Sequence, residues 1–190
     1  MPTPRRFAIR FASHITGYAA TILAALLLTL VPASSLSSQT VPQSASFPYR
    51  TGELELQMWE LINRDRADQS YSRETRGRAP ALRWDDRLAA VARIHSEEMA
   101  RNGYFSHVGA DGSSPARRVS MAGIKWLSTG ENIANCRGVS EAESLFMNEP
   151  KFQQNHRWNI LNVNYTHVGV GIARAPDGSL YITQEFAQLH

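Results

Sequence analysis

The stretch Val168-Gly169-Val170-Gly171-Ile172 constrains the fold more than any other part of the chain. β-Branched residues alternate with glycine at the period of a strand. One face of that strand carries three apolar side chains and the other carries none, which lets a neighbouring element pack closely against it. Pro176-Asp177-Gly178 follows as a turn, and Leu180 to Ala187 reads as the returning strand of a hairpin. Upstream the period is helical. Leu54, Met58, Leu61 and Ile62 mark one amphipathic helix. A second begins near Asp85, whose carboxylate can cap free backbone N–H groups, and ends at Asn102-Gly103. It places Leu88, Val91, Ala92 and Met99 on one face. Helices first and an antiparallel pair last predict an α+β layered domain.

Between these landmarks the expectations are looser. Gln69 to Gly77 is polar and reads as a solvated loop. The middle of the chain reads as mostly irregular, with two short helices. One starts at Ser114-Pro115, with Ser as N-cap and Pro in the first turn, and stops at Gly123. The other carries Leu145, Phe146 and Met147 behind a capping box of Ser140 and Glu143, and Pro150 closes it.

At 190 residues, 43% of them hydrophobic, the chain suffices for one domain with a real core plus a leader. Basic Arg5, Arg6 and Arg10 precede an apolar stretch from Ile15 to Val31, and small residues follow. That layout predicts a secretory signal peptide over residues 1–33, with Val31-Pro32-Ala33 as the cleavage triplet. The rival is an uncleaved anchor, for which the apolar run is at the short end of the roughly 17–25 residues a spanning helix uses. A Ser-, Gln-, Pro- and Thr-rich linker is expected over 34–52, and the domain over 53–190. The net charge of +3 is close to neutral once the three leader arginines are gone, which argues against a nucleic-acid partner. The one cysteine, Cys136, excludes an internal disulfide framework and a cysteine-built zinc knuckle.

Four residues carry candidate chemistry: His107 in Tyr104-Phe105-Ser106-His107, Glu131 in Gly130-Glu131-Asn132-Ile133-Ala134, Glu149 before Pro150, and His156 before Arg157-Trp158-Asn159. Imidazole and carboxylate bind divalent metals and move protons near neutral pH. No two of them have a local metal-ligand spacing, so only the tertiary fold can assemble them. Each also has a plainer reading: His107 as a loop histidine, Glu131 as a turn residue, Glu149 as a solvated helix-end carboxylate, His156 as a surface partner of Arg157. His95 reads as packed on a helix face, His167 as structural, Cys136 as a free thiol in a loop, and Trp59, Trp84 and Trp158 as core. Trp126, in a loop, is open to either reading.

The stretch from Leu61 to Ala187 resembles the CAP superfamily (SCP/TAPS; cysteine-rich secretory, antigen 5, pathogenesis-related) in its bacterial form. The resemblance rests on eight landmarks in series, among them Leu61-Ile62-Asn63-Arg64-Asp65-Arg66, Leu82-Arg83-Trp84-Asp85, Phe105-Ser106-His107, Gly130-Glu131-Asn132-Ile133-Ala134 and Tyr181-Ile182-Thr183-Gln184. It implies a three-layer α-β-α sandwich with a central, largely antiparallel sheet. It implies a cleft with a tetrad of His107, Glu131, Glu149 and His156, in which His107 and His156 hold zinc or another divalent cation. Glu149 lies seven residues before His156, and Lys151 to Gln154 reads as an insertion relative to the family spacing. A site with two protein ligands holds metal loosely, while the carboxylates can orient the imidazoles, ligate or act as a base.

Three functions stay open: an exported domain binding a lipid, glycan, peptide or protein in the cleft; a metal-assisted hydrolase of peptide or cell-envelope material; and a structural module with a vestigial site. Binding is the first expectation, because the resemblance brings no single reaction with it. Hydrolysis is the alternative, and the chain has no Gly-x-Ser-x-Gly elbow or His-Glu-x-x-His helix to support it; Ser106 is the nearest serine to the site. The expected location is secreted, periplasmic or cell-envelope, with no stable membrane span after cleavage. Mass analysis of the protein recovered outside the cytoplasm is expected to show loss of the segment through Ala33; an intact Met1 on membrane-bound material would mean an anchor.

Overall fold

The computed structural model describes residues 51–190; the expected leader and most of the expected linker lie outside the described residues. Helix α1 (Thr51–Ala67) takes in Thr51 and Gly52, the last two residues of the expected linker. A 3-10 turn (Gln69–Tyr71) and a one-turn helix α2 (Ser72–Thr75) follow. Then come β1 (Arg83–Trp84), α3 (Asp86–Asn102), α4 (Pro115–Met121), β2 (Trp126–Cys136), α5 (Val139–Met147), α6 (His156–Leu161), β3 (His167–Arg174) and β4 (Leu180–Leu189).

The four strands form one sheet in the order β1-β3-β4-β2. β4 pairs antiparallel with both β3 and β2, and only the short β1 runs parallel to β3. Alternation along the strands divides the core. Val168, Val170, Ile172, Ile182 and Phe186 pack with Met58 and Ile62 of α1 and Phe146 of α5. On the opposite face Leu88 and Val91 of α3 meet Val119 of α4, Ile124 and Ala187. The sheet therefore lies between two helical layers, the α-β-α sandwich that the resemblance implied.

The bare face of β3 is where α3 sits. A Cβ at Gly169 would stand 2.0 Å from the Ala89 amide nitrogen, and one at Gly171 2.0 Å from that of Arg93. Helix and strand backbones are thus in direct contact. Ser96 uses the short distance to donate to Gly171 O at 2.9 Å, and its hydroxyl oxygen pairs with the Thr183 hydroxyl at 2.8 Å. Asp85 caps α3 by accepting from the amides of Arg87 and Leu88, and Gly103 closes it at φ 66°, as expected.

Three expectations need correction. The segment 69–77 is folded, because Arg157, 4% exposed, forms a bidentate pair with Glu74, lies over the Tyr71 ring and donates to Met147 O. Arg157 is therefore an internal tie, not part of a surface pair with His156. The capping box of Ser140 and Glu143 does not form: α5 starts after Gly138, Glu141 accepts from the Arg137 amide, and Glu143 is buried. The middle of the chain is not irregular either. β2 is an eleven-residue strand that includes Trp126, Glu131 and Cys136. Cys136 is a buried free thiol at the end of that strand, where burial pushes its ionisation up.

Gly169→Ala and Gly171→Ala are each expected to destabilise the fold at the upper end of the ~1–3 kcal/mol typical of overpacking, because the obstructing atoms are backbone. Urea unfolding measures this; an unchanged midpoint for both would mean that α3 is free to move off the sheet.

Candidate functional site

β2 is an edge strand, and the site is built along its outer side. Glu131, in the middle of β2, points to the α3 layer, its side chain 1% exposed. It faces Glu185 of β4 in register. Its Oε1 accepts from His107 Nδ1 at 2.7 Å, and its Oε2 accepts from Arg118 Nη2 of α4. Arg118 also donates to the carbonyls of His107 and Ser113, so one guanidinium holds both the loop and the carboxylate. The loop is fixed from α3 as well. His95 Nε2 donates to Ser106 O at 2.9 Å, while Glu98 accepts from Tyr104 Oη and the Ala110 amide. His95 is packed on a helix face, as its neighbours suggested, and also anchors the loop that presents His107. The Ser106 hydroxyl is occupied in the turn, accepting from the Val108 amide.

The second histidine is held differently. Glu149, just beyond α5, accepts from His156 Nδ1 at 2.6 Å through Oε1 and from the His156 amide at 2.8 Å through Oε2. Asn155 caps α6 by accepting from the Trp158 amide, and Phe146 lies against the His156 ring at 4.8 Å between centroids. A hydrogen-bonded chain runs behind it. Asn132 donates to His156 O and Gln184 Oε1, and Gln184 Nε2 donates to Glu143 Oε2 at 3.3 Å. Asn159 ties α6 to β2 by donating to Glu131 O and Asn132 Oδ1.

The two imidazoles meet with ring centroids 6.3 Å apart and planes 26° from parallel. The fold thus brings all four of His107, Glu131, Glu149 and His156 to one place. A carboxylate only accepts, so each Nδ1 carries a proton, and in the neutral ring the lone pair is on Nε2. They border a cleft of about 710 Å³ that Thr129, Trp158 and Tyr165 also line. Trp158, expected in the core, is 40% exposed there. His167 stays away, bonded to Thr166 Oγ1 at the start of β3. As a donor set the site offers a cation at most one nitrogen from each imidazole, since each Nδ1 is taken by a carboxylate. Among the described residues no group of three or more His, Cys, Asp or Glu is placed to hold a metal.

Sequence reasoning missed Arg118 and Glu185. For Glu185 the signal was present, since it pairs with Gly169 on the face where Thr183 pairs with Gly171, and a charge there has no route to water. Burial and the Glu131 charge push the Glu185 carboxyl well above its ordinary range. Burial acts on Glu131 in the same sense, but the His107 hydrogen bond and the Arg118 charge outweigh it and hold Glu131 below. The two carboxyls are thus pushed apart, Glu185 towards its neutral form and Glu131 towards its ionised form.

A three-layer sandwich with a histidine–carboxylate cleft at the sheet edge defines the class. A family profile described as CAP, the cysteine-rich secretory protein family, matches residues 59–186, and the chain belongs to that family. It is 33% identical over 156 residues to the uncharacterized protein YkwD of Bacillus subtilis (strain 168), covering 82% of this chain and 54% of YkwD. Among solved structures, an extracellular protein containing an SCP domain from Bacillus anthracis str. Ames is 28% identical, with a TM-score of 0.59 over 75% of this chain and 45% of that one. An outer surface protein of Borrelia burgdorferi has a TM-score of 0.63 over 75% of this chain and 97% of that one. At 18% identity the last likeness is one of fold alone. The chain spans about half the length of YkwD and of the anthracis protein.

Burial raises the Glu143 carboxyl from 4.5 to about 8, and the nearby Asp65 charge adds to the shift. An unfolded chain ionises this group from about 4.5 upward while the folded one resists until about 8, so stability is expected to fall as pH rises through that window. Glu143→Gln removes this contribution and should flatten the loss; Glu185 adds a slope of the same sign that the variant keeps. Urea midpoints compared at both ends of the window check it, and equal slopes for parent and variant would contradict it.

Proposed function

We propose that this CAP-domain protein acts outside the cytoplasm, binding an extracytoplasmic ligand in the cleft along β2 and holding a divalent cation such as zinc loosely between His107 and His156. The observation that carries the reading is the matched pair of histidine–carboxylate contacts, which leaves one nitrogen of each imidazole free beside an open cleft. Glu131 and Glu149 set the ring tautomers and orient the free nitrogens, the role of carboxylates behind metal-binding histidines. A cation bound there would supply Lewis acidity and an open position for a ligand oxygen or water. Action outside the cytoplasm is supported by the leader layout and by the likeness to the extracellular Bacillus anthracis protein. Among the described residues no helix is long and apolar enough to cross a membrane.

Zinc calorimetry on the purified protein tests the cation. His107→Ala and His156→Ala should each weaken zinc binding by at least about tenfold, and Glu149→Gln by the roughly 10–100-fold seen when an orienting carboxylate is removed. Full zinc affinity in both alanine variants would sink the shared site. Incubation with cell-wall, lipid and peptide libraries, with and without zinc, tests the ligand. Hydrolysis that disappears together with zinc would favour the metal-assisted hydrolase reading instead.

A further inference from the structure

The two edges of the sheet are treated differently. On the β3 side part of the outward row is taken by the chain itself: Val168 O accepts from the Asp85 amide, and the Ile172 amide donates to Glu55 Oε1. Alternation then fixes the direction of every group across the sheet. Gly169 and Gly171 turn their main-chain groups towards β4 at Glu185 and Thr183, and Gln184 and Ile182 turn theirs towards β2 at Asn132 and Ala134. Thr129, Glu131, Ile133 and Asn135 therefore present N–H and C=O groups outward from β2. Asn159 confirms the direction by donating to Glu131 O from outside the sheet. No described residue hydrogen-bonds the outward groups of Ile133 and Asn135.

These groups, unpaired among the described residues, form the floor of a second cleft, of about 530 Å³, which continues from the histidine pair and shares His156 and Glu149 with it. Its walls are apolar and lie on opposite faces of the sheet. Tyr104 and Phe105 come from the loop after α3, and Leu145 and Phe146 from α5. Phe105 is 53% and Leu145 56% exposed, so large apolar surface waits on each side of an open strand edge.

We propose that this edge receives an extended peptide as a fifth strand, antiparallel or parallel to β2, alongside Ile133 and Asn135. The inference rests on the ligand-binding reading of the cleft and names its ligand class. A strand edge offers donors and acceptors at the ~3.3 Å per residue repeat of an extended main chain, and another polypeptide matches that repeat. A lipid chain has nothing to give these groups, and buried main-chain groups left unpaired are costly. Side chains of an added strand alternate between faces, as the two walls do: one set meets Phe105, the next Leu145 and Phe146. The preferred peptide therefore carries bulky apolar residues on both faces of its strand, and its chain continues past the imidazole pair.

The test uses the full chain and a phage-displayed library of random linear dodecapeptides, with affinities of selected peptides read by fluorescence anisotropy. Asn135→Pro removes one outward N–H without touching the ladder to β4, a substitution that edge strands accept. Loss of this main-chain hydrogen bond is expected to weaken binding roughly tenfold, with zinc affinity unchanged. N-Methylation of alternate peptide amides should weaken binding to the parent protein similarly, which keeps the test decisive if the proline variant fails to fold. Hydrogen exchange should show the Ile133 and Asn135 amides protected on binding. Equal affinity for the proline variant, or for N-methylated peptides, overturns the strand pairing. A glycan or lipid that binds instead, sensitive to His107→Ala but not to Asn135→Pro, overturns the peptide class while leaving the cleft reading intact. The absence of any ligand from cell-wall, lipid and peptide libraries overturns both.

Discussion

The backbone of α3 lies on the backbone of β3, and the rest of the site depends on that contact. Gly169 and Gly171 leave no side chain between them, so the helix approaches until a single Cβ would collide with the Ala89 or Arg93 amide. From that height Ser96 reaches the sheet, while His95 and Glu98 reach the loop that follows the helix. A helix held a side chain further out would carry His107 away from Glu131, since the loop is hung from α3 and Glu131 belongs to the sheet. The same strand's other face carries Val168, Val170 and Ile172, which bury against α1 and supply the apolar gain that keeps the strand in place.

The two histidines are held by unlike means. Glu131 is sealed in the sheet, fixed on one oxygen by Arg118 and backed by Glu185. That arrangement stores one negative charge in a place with little water, balanced by one guanidinium, and points it at His107. Glu149 is a local staple instead: its side chain is 27% exposed, and it grips both the ring and the amide of His156 a few residues downstream. The carboxylate is buried at His107 although that ring is 46% exposed, whereas both partners are partly exposed at His156. His156 is correspondingly the ring with extra support, from Phe146 beneath it and from the Asn132 and Gln184 chain behind its carbonyl.

Signals that act within a few residues were legible. The caps of α3 and α4, the glycine stops and the β3–β4 hairpin all depend on short-range geometry, and they stand where the residues suggested. β2 was not legible, because its pattern answers two different environments. Glu131 and Ile133 face the α3 layer while Asn132 and Ala134 face α1 and α5, so neither face is uniformly apolar and the period of two is hidden. The segment 69–75 misled for a related reason. Its polar residues look solvated until Arg157, over eighty positions away, supplies the partner for Glu74. Glu143 fits a capping pattern in sequence, yet Gly138 starts the helix a step early and turns that carboxyl into the core.

The sequence by itself determined the layered class, the order of helices and hairpin, the membership in the CAP family and the identity of the four residues at the cleft. Those rest on periodicity, caps and motifs, which are properties of neighbouring residues. The tertiary structure alone decided that Arg118 and Glu185 stand behind Glu131, that Trp158 faces the cleft, and that β2 keeps an open edge beside the two imidazoles. Each of these is a relation between elements far apart in the chain. Burial, charge compensation and the direction of an unpaired amide take their values only when strands and helices have been brought together.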